Sequence, residues 1–180
     1  MMQRVQEDSL RLRPISLFDV PMIVELANEW DVASMVSRLP YPYEPHHAEN
    51  WINEIEKNRR EDVWAIESDG YFAGCVGYNR VSLTYGELGY WLGKPFWGRG
   101  LATRAAWQIL AHGFASEPFK YFSACYFTDN ERSKNVLDRL GFQPAEIIEC
   151  PSMARGAPAP AQNCILTRQA FEQLNRQANA

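Results

Sequence analysis

The chain predicts a mixed α/β sheet with helices on its faces. Three observations carry that prediction. Short strand-length apolar runs are interleaved with segments whose apolar residues recur at helical spacing. Asp69-Gly70 sits between two of the strand-like runs, where that dipeptide signals a hairpin. Gly93-Lys94-Pro95-Phe96-Trp97-Gly98-Arg99-Gly100-Leu101-Ala102-Thr103 joins a strand-like segment to a helix-like one.

Each element has its own warrant. Ser9-Leu10-Arg11-Leu12-Arg13 alternates like a half-buried strand and Pro14 closes it. Ser16 caps a helix running through Asp19 to Ala27, with Pro21 in the early turns where proline is tolerated. A loop bearing Pro40, Pro42 and Pro45 follows. A second helix is predicted from about His46 to Arg60, with Trp51, Ile52 and Ile55 on one face. Three strands come next: Val63 to Ile66, Phe72 to Tyr78 and Gly86 to Leu92. The helix after the glycine turn spans about Leu101 to Ala115, with Ala102, Ala106, Leu110 and Phe114 at every fourth position. Tyr121 to Phe127 reads as a buried aromatic strand. Ser133 to Leu140 reads as a short helix ended by Gly141. Gln143 to Cys150 and Asn163 to Thr167 are the last strands, separated by a loop from Pro151 to Pro160.

Composition narrows the function classes. A chain of 180 residues, 46% hydrophobic and 22% charged, fits one globular domain over residues 1–180 with a substantial core. The net charge of −4 argues against a nucleic-acid surface. No apolar run approaches the roughly 20 residues that span a bilayer, so no membrane association is expected. Met1 to Asp8 has no signal-peptide core, which predicts a cytoplasmic protein. Cys75, Cys125, Cys150 and Cys164 are widely spaced and read as reduced thiols. His46, His47 and His112 form no ligand cluster, so no metal site is predicted.

The glycine turn carries the chemistry. Gly98 and Gly100 at a strand-to-helix junction leave room for a backbone turn free of Cβ atoms. The unpaired amides of the first helical turn then face whatever binds there, and that geometry suits a phosphate. An ordinary glycine turn with a solvated arginine has the same local sequence, so the flanking segments decide.

Those segments resemble one family. Glu87-Leu88-Gly89-Tyr90-Trp91-Leu92, Trp97-Gly98-Arg99-Gly100-Leu101-Ala102-Thr103, Asp129-Asn130-Glu131-Arg132-Ser133 and Leu137-Asp138-Arg139-Leu140-Gly141-Phe142 follow in order. In their order and spacing they resemble the Gcn5-related N-acetyltransferase (GNAT) superfamily, and within it the ribosomal-protein (Rim-type) branch. The likeness runs from Leu10 to Thr167. One departure stands out. The superfamily's pyrophosphate motif is often written Q/R-x-x-G-x-G/A, and Trp97 stands here where Gln or Arg would.

The resemblance implies the acyl-CoA N-acyltransferase fold: a mixed, mostly antiparallel central sheet of about seven strands with helices on both faces. It also implies acetyl-CoA as cosubstrate, with no metal. Trp97, Gly98 and the amides of Arg99, Gly100, Leu101, Ala102 and Thr103 would hold the pyrophosphate, with a charge-assisted contact from the Arg99 side chain. Tyr90, Trp91 and Leu92 would line the pantetheine arm on a splayed strand, an amide near Leu92 polarising the thioester carbonyl. Asn130 would contact the same arm; on the residues alone it reads as the N-cap of the last short helix. Ser133 and Tyr126 are candidates for protonating the departing thiolate, in supporting roles. The reaction needs a base, since only a neutral amine attacks. Glu87 is the candidate, with a solvent-facing strand-edge glutamate as the equal alternative. Trp30, Tyr41, Tyr43 and Trp51 would roof the acceptor site, with surface-loop packing the equal alternative for each, while His112 reads as structural or solvated.

The function read from these residues is acetyl transfer from acetyl-CoA to a primary amine by direct attack, the acceptor being a protein N-terminal α-amino group. A small-molecule amine (an aminoglycoside or polyamine) and a non-catalytic acyl-CoA-binding regulatory module are the alternatives. The resemblance leaves the oligomeric state open, with a homodimer as one form.

Overall fold

The computed structural model describes residues 9–178. Met1 to Asp8, the segment read above for a leader, lies outside them. The elements are β1 (Leu10–Pro14), α1 (Val20–Ala27), α2 (Trp30–Ala33), α3 (Pro45–Asn58), β2 (Glu61–Ser68), β3 (Tyr71–Arg80), β4 (Tyr85–Leu92), α4 (Leu101–Ser116), β5 (Tyr121–Phe127), α5 (Glu131–Arg139), β6 (Gln143–Cys150), β7 (Ala159–Thr167) and α6 (Arg168–Ala178). The seven strands form one sheet in the order β1-β2-β3-β4-β5-β7-β6. Every adjacent pair is antiparallel except β4 and β5. This is the mixed, mostly antiparallel seven-stranded sheet expected.

Local chemistry explains the framework. Asp69 and Gly70 both take positive φ (53° and 84°), the turn a tight β2–β3 hairpin requires. Asn130 caps α5, its Oδ1 accepting from the Ser133 amide at 3.1 Å. Before α1, Ser16 opens a 3-10 turn over Leu17–Asp19 and α1 follows directly. Asp19 there is buried but receives hydrogen bonds from Arg13 Nη1 (2.9 Å) and the Ser16 amide (2.9 Å).

Two apolar clusters lie on opposite faces of the sheet. One gathers Leu88, Leu110, Phe122 and Leu137 under α4 and α5. The other gathers Ile23, Val32, Ile52 and Trp91 under α1 to α3. Two elements were not foreseen. Helix α2 is a single turn held by burial of Val32 and Ala33. Helix α6 starts where the Thr167 hydroxyl accepts from the Ala170 amide (3.2 Å), and it packs Phe171 onto Trp107 and Phe114. β7 also begins four residues earlier than expected, at Ala159, so the preceding loop is shorter.

What positions the site is the junction of β4 and β5. They pair only over Tyr85–Glu87 and Tyr121–Ser123. Beyond Glu87 the strands part, and a V-shaped gap opens through the sheet.

Candidate active site

The gap exposes backbone donors. Gly93 donates its amide to Ala73 O (2.9 Å), which fixes the phase of the β3–β4 ladder. Odd-numbered residues of β4 therefore bond to β3, while the amides of Tyr90 and Leu92, beyond the last β4–β5 pair, face the β5 side. No strand pairs them there. The gap belongs to a cavity of about 710 Å³ bounded by residues from both faces of the sheet. That size is within the usual range of small-molecule and cofactor sites.

At one end lies the glycine turn. Gly98 and Gly100 have φ of +76° and +71°, and a Cβ on either would point into open space with nothing within 4 Å. The amides of Gly98, Gly100, Leu101, Ala102 and Thr103 have no acceptor among the described residues, and α4 begins at Leu101. Open space, unpaired amides and the positive end of a 16-residue helix coincide there. A phosphate fits that cradle on all three counts.

The side chain of Arg99 departs from expectation. It donates to Ser68 Oγ (2.9 Å) and pairs with Asp69 Oδ2 (2.7 Å), so its guanidinium is turned toward the β2–β3 hairpin instead of the cradle. Hydrogen bonds from the Ser9 amide and then from Arg99 hold the Asp69 carboxyl below its ordinary range. Trp97 donates Nε1 to Leu92 O at 2.8 Å and so braces the end of β4. Its ring carries the guanidinium of Arg132 at 4.3 Å, a contact that sequence reading missed.

Across the gap, Tyr90 Oη lies 2.8 Å from Ser133 Oγ. Tyr90 is thus more than a packing residue: it fixes the hydroxyl considered above as a proton donor. Burial raises the Tyr90 phenol, only partly offset by Ser133, and keeps it protonated at neutral pH. Tyr126 lines the cavity as well, and burial raises its phenol too. Asn130 borders the same wall.

On the α1–α3 face, strand register builds a polar row. Glu61, Asn79, Glu87 and Ser123 are successive partners across β2, β3, β4 and β5, so their side chains share one face. Glu61 is committed: it accepts from Arg38 Nη1 (2.7 Å) and Trp51 Nε1 (3.3 Å). With its amide oriented to satisfy both ends, Asn79 donates to Glu61 (3.0 Å) and accepts from Arg38 (2.8 Å). Asp31, the other carboxylate of the cavity, pairs with Lys94 at 2.7 Å. Glu87 has no hydrogen bond or ion pair among the described residues. Gly89, next along the same face, leaves open space beside it.

Tyr43 and Trp51 help bound this half of the cavity, whereas Trp30 and Tyr41 pack edge-on against each other (5.3 Å) outside it. The far side is tied by Arg155 from the β6–β7 loop, which donates to Ser34 O (2.7 Å) and pairs with Asp129 (3.0 Å). His112 lies 3.2 Å from Asp62, away from the cavity. All four cysteines are free. Cys125 borders the cavity, but burial, then Cys150 and Glu87, raise its thiol, so it is a poor nucleophile at neutral pH.

A splayed parallel pair beside an amide cradle at a helix N-terminus is the arrangement that the family resemblance implies for a coenzyme A-dependent acyltransferase. Comparison with known proteins agrees. Residues 9–143 match the family described as acetyltransferase (GNAT) domain, and the chain belongs to that family. It is similar to the uncharacterized N-acetyltransferase p20 of Bacillus licheniformis, with 24% identity over 162 residues, covering 86% of this chain and 90% of that protein. Among solved structures it resembles Mycobacterium smegmatis RimJ in complex with CoA-disulfide, at TM-score 0.80 and 19% identity, covering 94% of this chain and 89% of that one. Spermidine N-acetyltransferase from Vibrio cholerae, in complex with CoA and spermine, gives TM-score 0.78 and 16% identity, covering 91% and 98%. The protein is an N-acetyltransferase, and acetyl-CoA is its cosubstrate.

Proposed function

We propose that the acceptor is a protein N-terminal α-amino group. One observation carries this reading over a polyamine: each cavity carboxylate other than Glu87 is already neutralised by its own cation, Asp31 by Lys94 and Glu61 by Arg38. A single uncommitted carboxylate matches one cationic amine. A polyamine carries several charges, and the site offers the others no counter-charge.

In this reading acetyl-CoA lies along the splay, its pyrophosphate on the amides of Gly98 to Thr103 and its pantetheine arm between β4 and the Asn130 end of α5. The amide of Leu92 or Tyr90 polarises the thioester carbonyl. Glu87, or a water it holds, takes the proton of the amine, which enters from the α1–α3 face. The amine attacks the carbonyl carbon, the carbon–sulfur bond breaks, and Ser133, oriented by Tyr90, donates a hydrogen bond to the departing thiolate, which takes its proton from water. Tyr126 is the second candidate for that donation. The whole chain acts as one domain. A cytoplasmic location belongs to the same proposal, as does a homodimer as one assembly form.

Release of free thiol from acetyl-CoA tests the reading against a panel of N-terminal peptides, polyamines and aminoglycosides. Peptides with a free α-amine should be turned over with the highest kcat/KM. Turnover confined to polyamines would reject the α-amine assignment, and binding of acetyl-CoA without turnover of any amine would favour a regulatory module.

A further inference from the structure

Trp97 occupies the motif position where a Gln or Arg side chain would stand, and the Arg99 guanidinium is held at Asp69. The cradle on the α4 side therefore offers backbone amides without a cationic side chain of its own aimed at the ligand from Trp97 or Arg99. The three phosphate groups of coenzyme A carry more charge than a helix terminus compensates, since the macrodipole amounts to about half an elementary charge.

Cations are present on the opposite wall. Helix α5 presents Arg132, Asn135, Val136 and Arg139 to the cavity, the i, i+3, i+4 and i+7 positions of one helical face. Ala102 and Thr103 of α4 border the same space. Arg132 stacks on Trp97 at 4.3 Å, and neither Arg132 nor Arg139 has a carboxylate partner among the described residues. Stacking fixes the plane of a guanidinium while leaving its edge donors available. Asp31 and Lys94 lie close enough to feel the charge of Arg132, and those two are paired with each other. Seven residues separate the two arginines, a rise of about 10 Å along the helix. That span suits two separate phosphate positions on one nucleotide.

We propose that Arg132 and Arg139 form the side-chain half of the nucleotide-phosphate site, Arg132 facing the pyrophosphate held by the α4 amides and Arg139 facing the ribose 3′-phosphate. Trp97 is then a positioning residue: the ring that replaces the motif's polar side chain carries a cation supplied by another helix. The inference rests on coenzyme A as the cofactor and is independent of which amine is acetylated.

Calorimetric titration with coenzyme A and with 3′-dephospho-coenzyme A tests both assignments, with circular dichroism melts to verify folding of each variant. Arg132→Gln should weaken both ligands by roughly tenfold to a hundredfold, the loss typical of a charge-assisted contact. Arg139→Gln should weaken coenzyme A by a similar factor and leave the dephospho form unchanged. Trp97→Leu, which removes the platform without removing a charge, should weaken both ligands and make a following Arg132→Gln change much less costly than in the wild-type background. Wild-type affinity in the Arg132→Gln variant, or equal loss of both ligands in Arg139→Gln, would overturn the corresponding assignment. Failure of the wild-type protein to bind coenzyme A would overturn the cofactor itself, an outcome distinct from silent arginine variants.

Discussion

Replacing Glu87 with Gln removes the one cavity carboxylate that has no partner among the described residues, while keeping its shape and its place beside the open space at Gly89. The register across β2 to β5 leaves the backbone unaffected by this change. The size of the effect follows from the acceptor. An α-amino group titrates at about 8, so only about a tenth is neutral at pH 7 and about nine tenths at pH 9. General-base assistance contributes typically 10²–10⁴-fold. Because Glu87 can be bridged by water in an open cavity, the lower end applies: a loss of about 100-fold in kcat at pH 7. The loss should shrink toward pH 9, where the amine reaches the site already deprotonated. The assay is initial-rate thiol release with an N-terminal peptide at saturating acetyl-CoA, recorded from pH 6 to pH 9 (roughly the range that brackets the amine pKa). A Glu87→Gln rate equal to wild type across that range would refute the assignment, leaving the glutamate a solvated strand residue.

Other consequences are as direct. Ser133→Ala removes the 2.8 Å partner of Tyr90 and the proposed donor to the leaving thiolate. Its kcat should fall about tenfold with unchanged affinity for acetyl-CoA, the usual scale of one neutral hydrogen bond, and stopped-flow thiol release would measure it. Asp19→Asn leaves Arg13 facing Glu67 alone (2.6 Å). Since Arg13 is partly solvated, a loss of about 2 kcal/mol is expected, less than the full cost of breaking a buried pair. Burial pushes the Asp19 carboxyl up, but hydrogen bonds from Arg13 and Ser16 outweigh it and the net shift is downward. Its contribution is therefore complete above the ordinary carboxylate pKa of about 3.9, and is lost as pH falls below that value through the folded pKa. Thermal melts should separate wild type from Asp19→Asn at pH 7 and converge in acid. Arg155→Ala frees the β6–β7 loop from Ser34 and Asp129. Steady-state kinetics should show a higher KM for the peptide acceptor with little change for acetyl-CoA.

Much of the fold was legible because its signals are local. The Asp69-Gly70 hairpin, the Asn130 cap and the glycine turn each depend on a few adjacent residues, and each lies where the sequence puts it. Helix α2 was not legible, since one turn has little periodicity and is held by tertiary burial of Val32 and Ala33. Helix α6 did carry a signal, Thr167 followed by Phe171 and Leu174, obscured by its polar composition. The extent of β4–β5 pairing is a property of two strands and could be known in advance only by resemblance. Side-chain destinations were the least legible. Arg99 reaches a turn 30 residues upstream, and Arg132 reaches Trp97 from another helix. The polar row from Glu61 to Ser123 exists only once four strands are in register.

The central claim is direct passage of an acetyl group from coenzyme A, bound in the β4–β5 splay, to an α-amine. Mass spectrometry of a single-turnover mixture of protein, acetyl-CoA and an N-terminal peptide containing an internal lysine reads it most directly. The account predicts the acetyl group on the peptide's α-nitrogen, with no acetylated form of the protein at Cys125, Cys150 or Ser133 at any time point. An acetyl-protein intermediate that forms and decays at the rate of turnover would contradict it, as would acetylation of the lysine in preference to the α-amine.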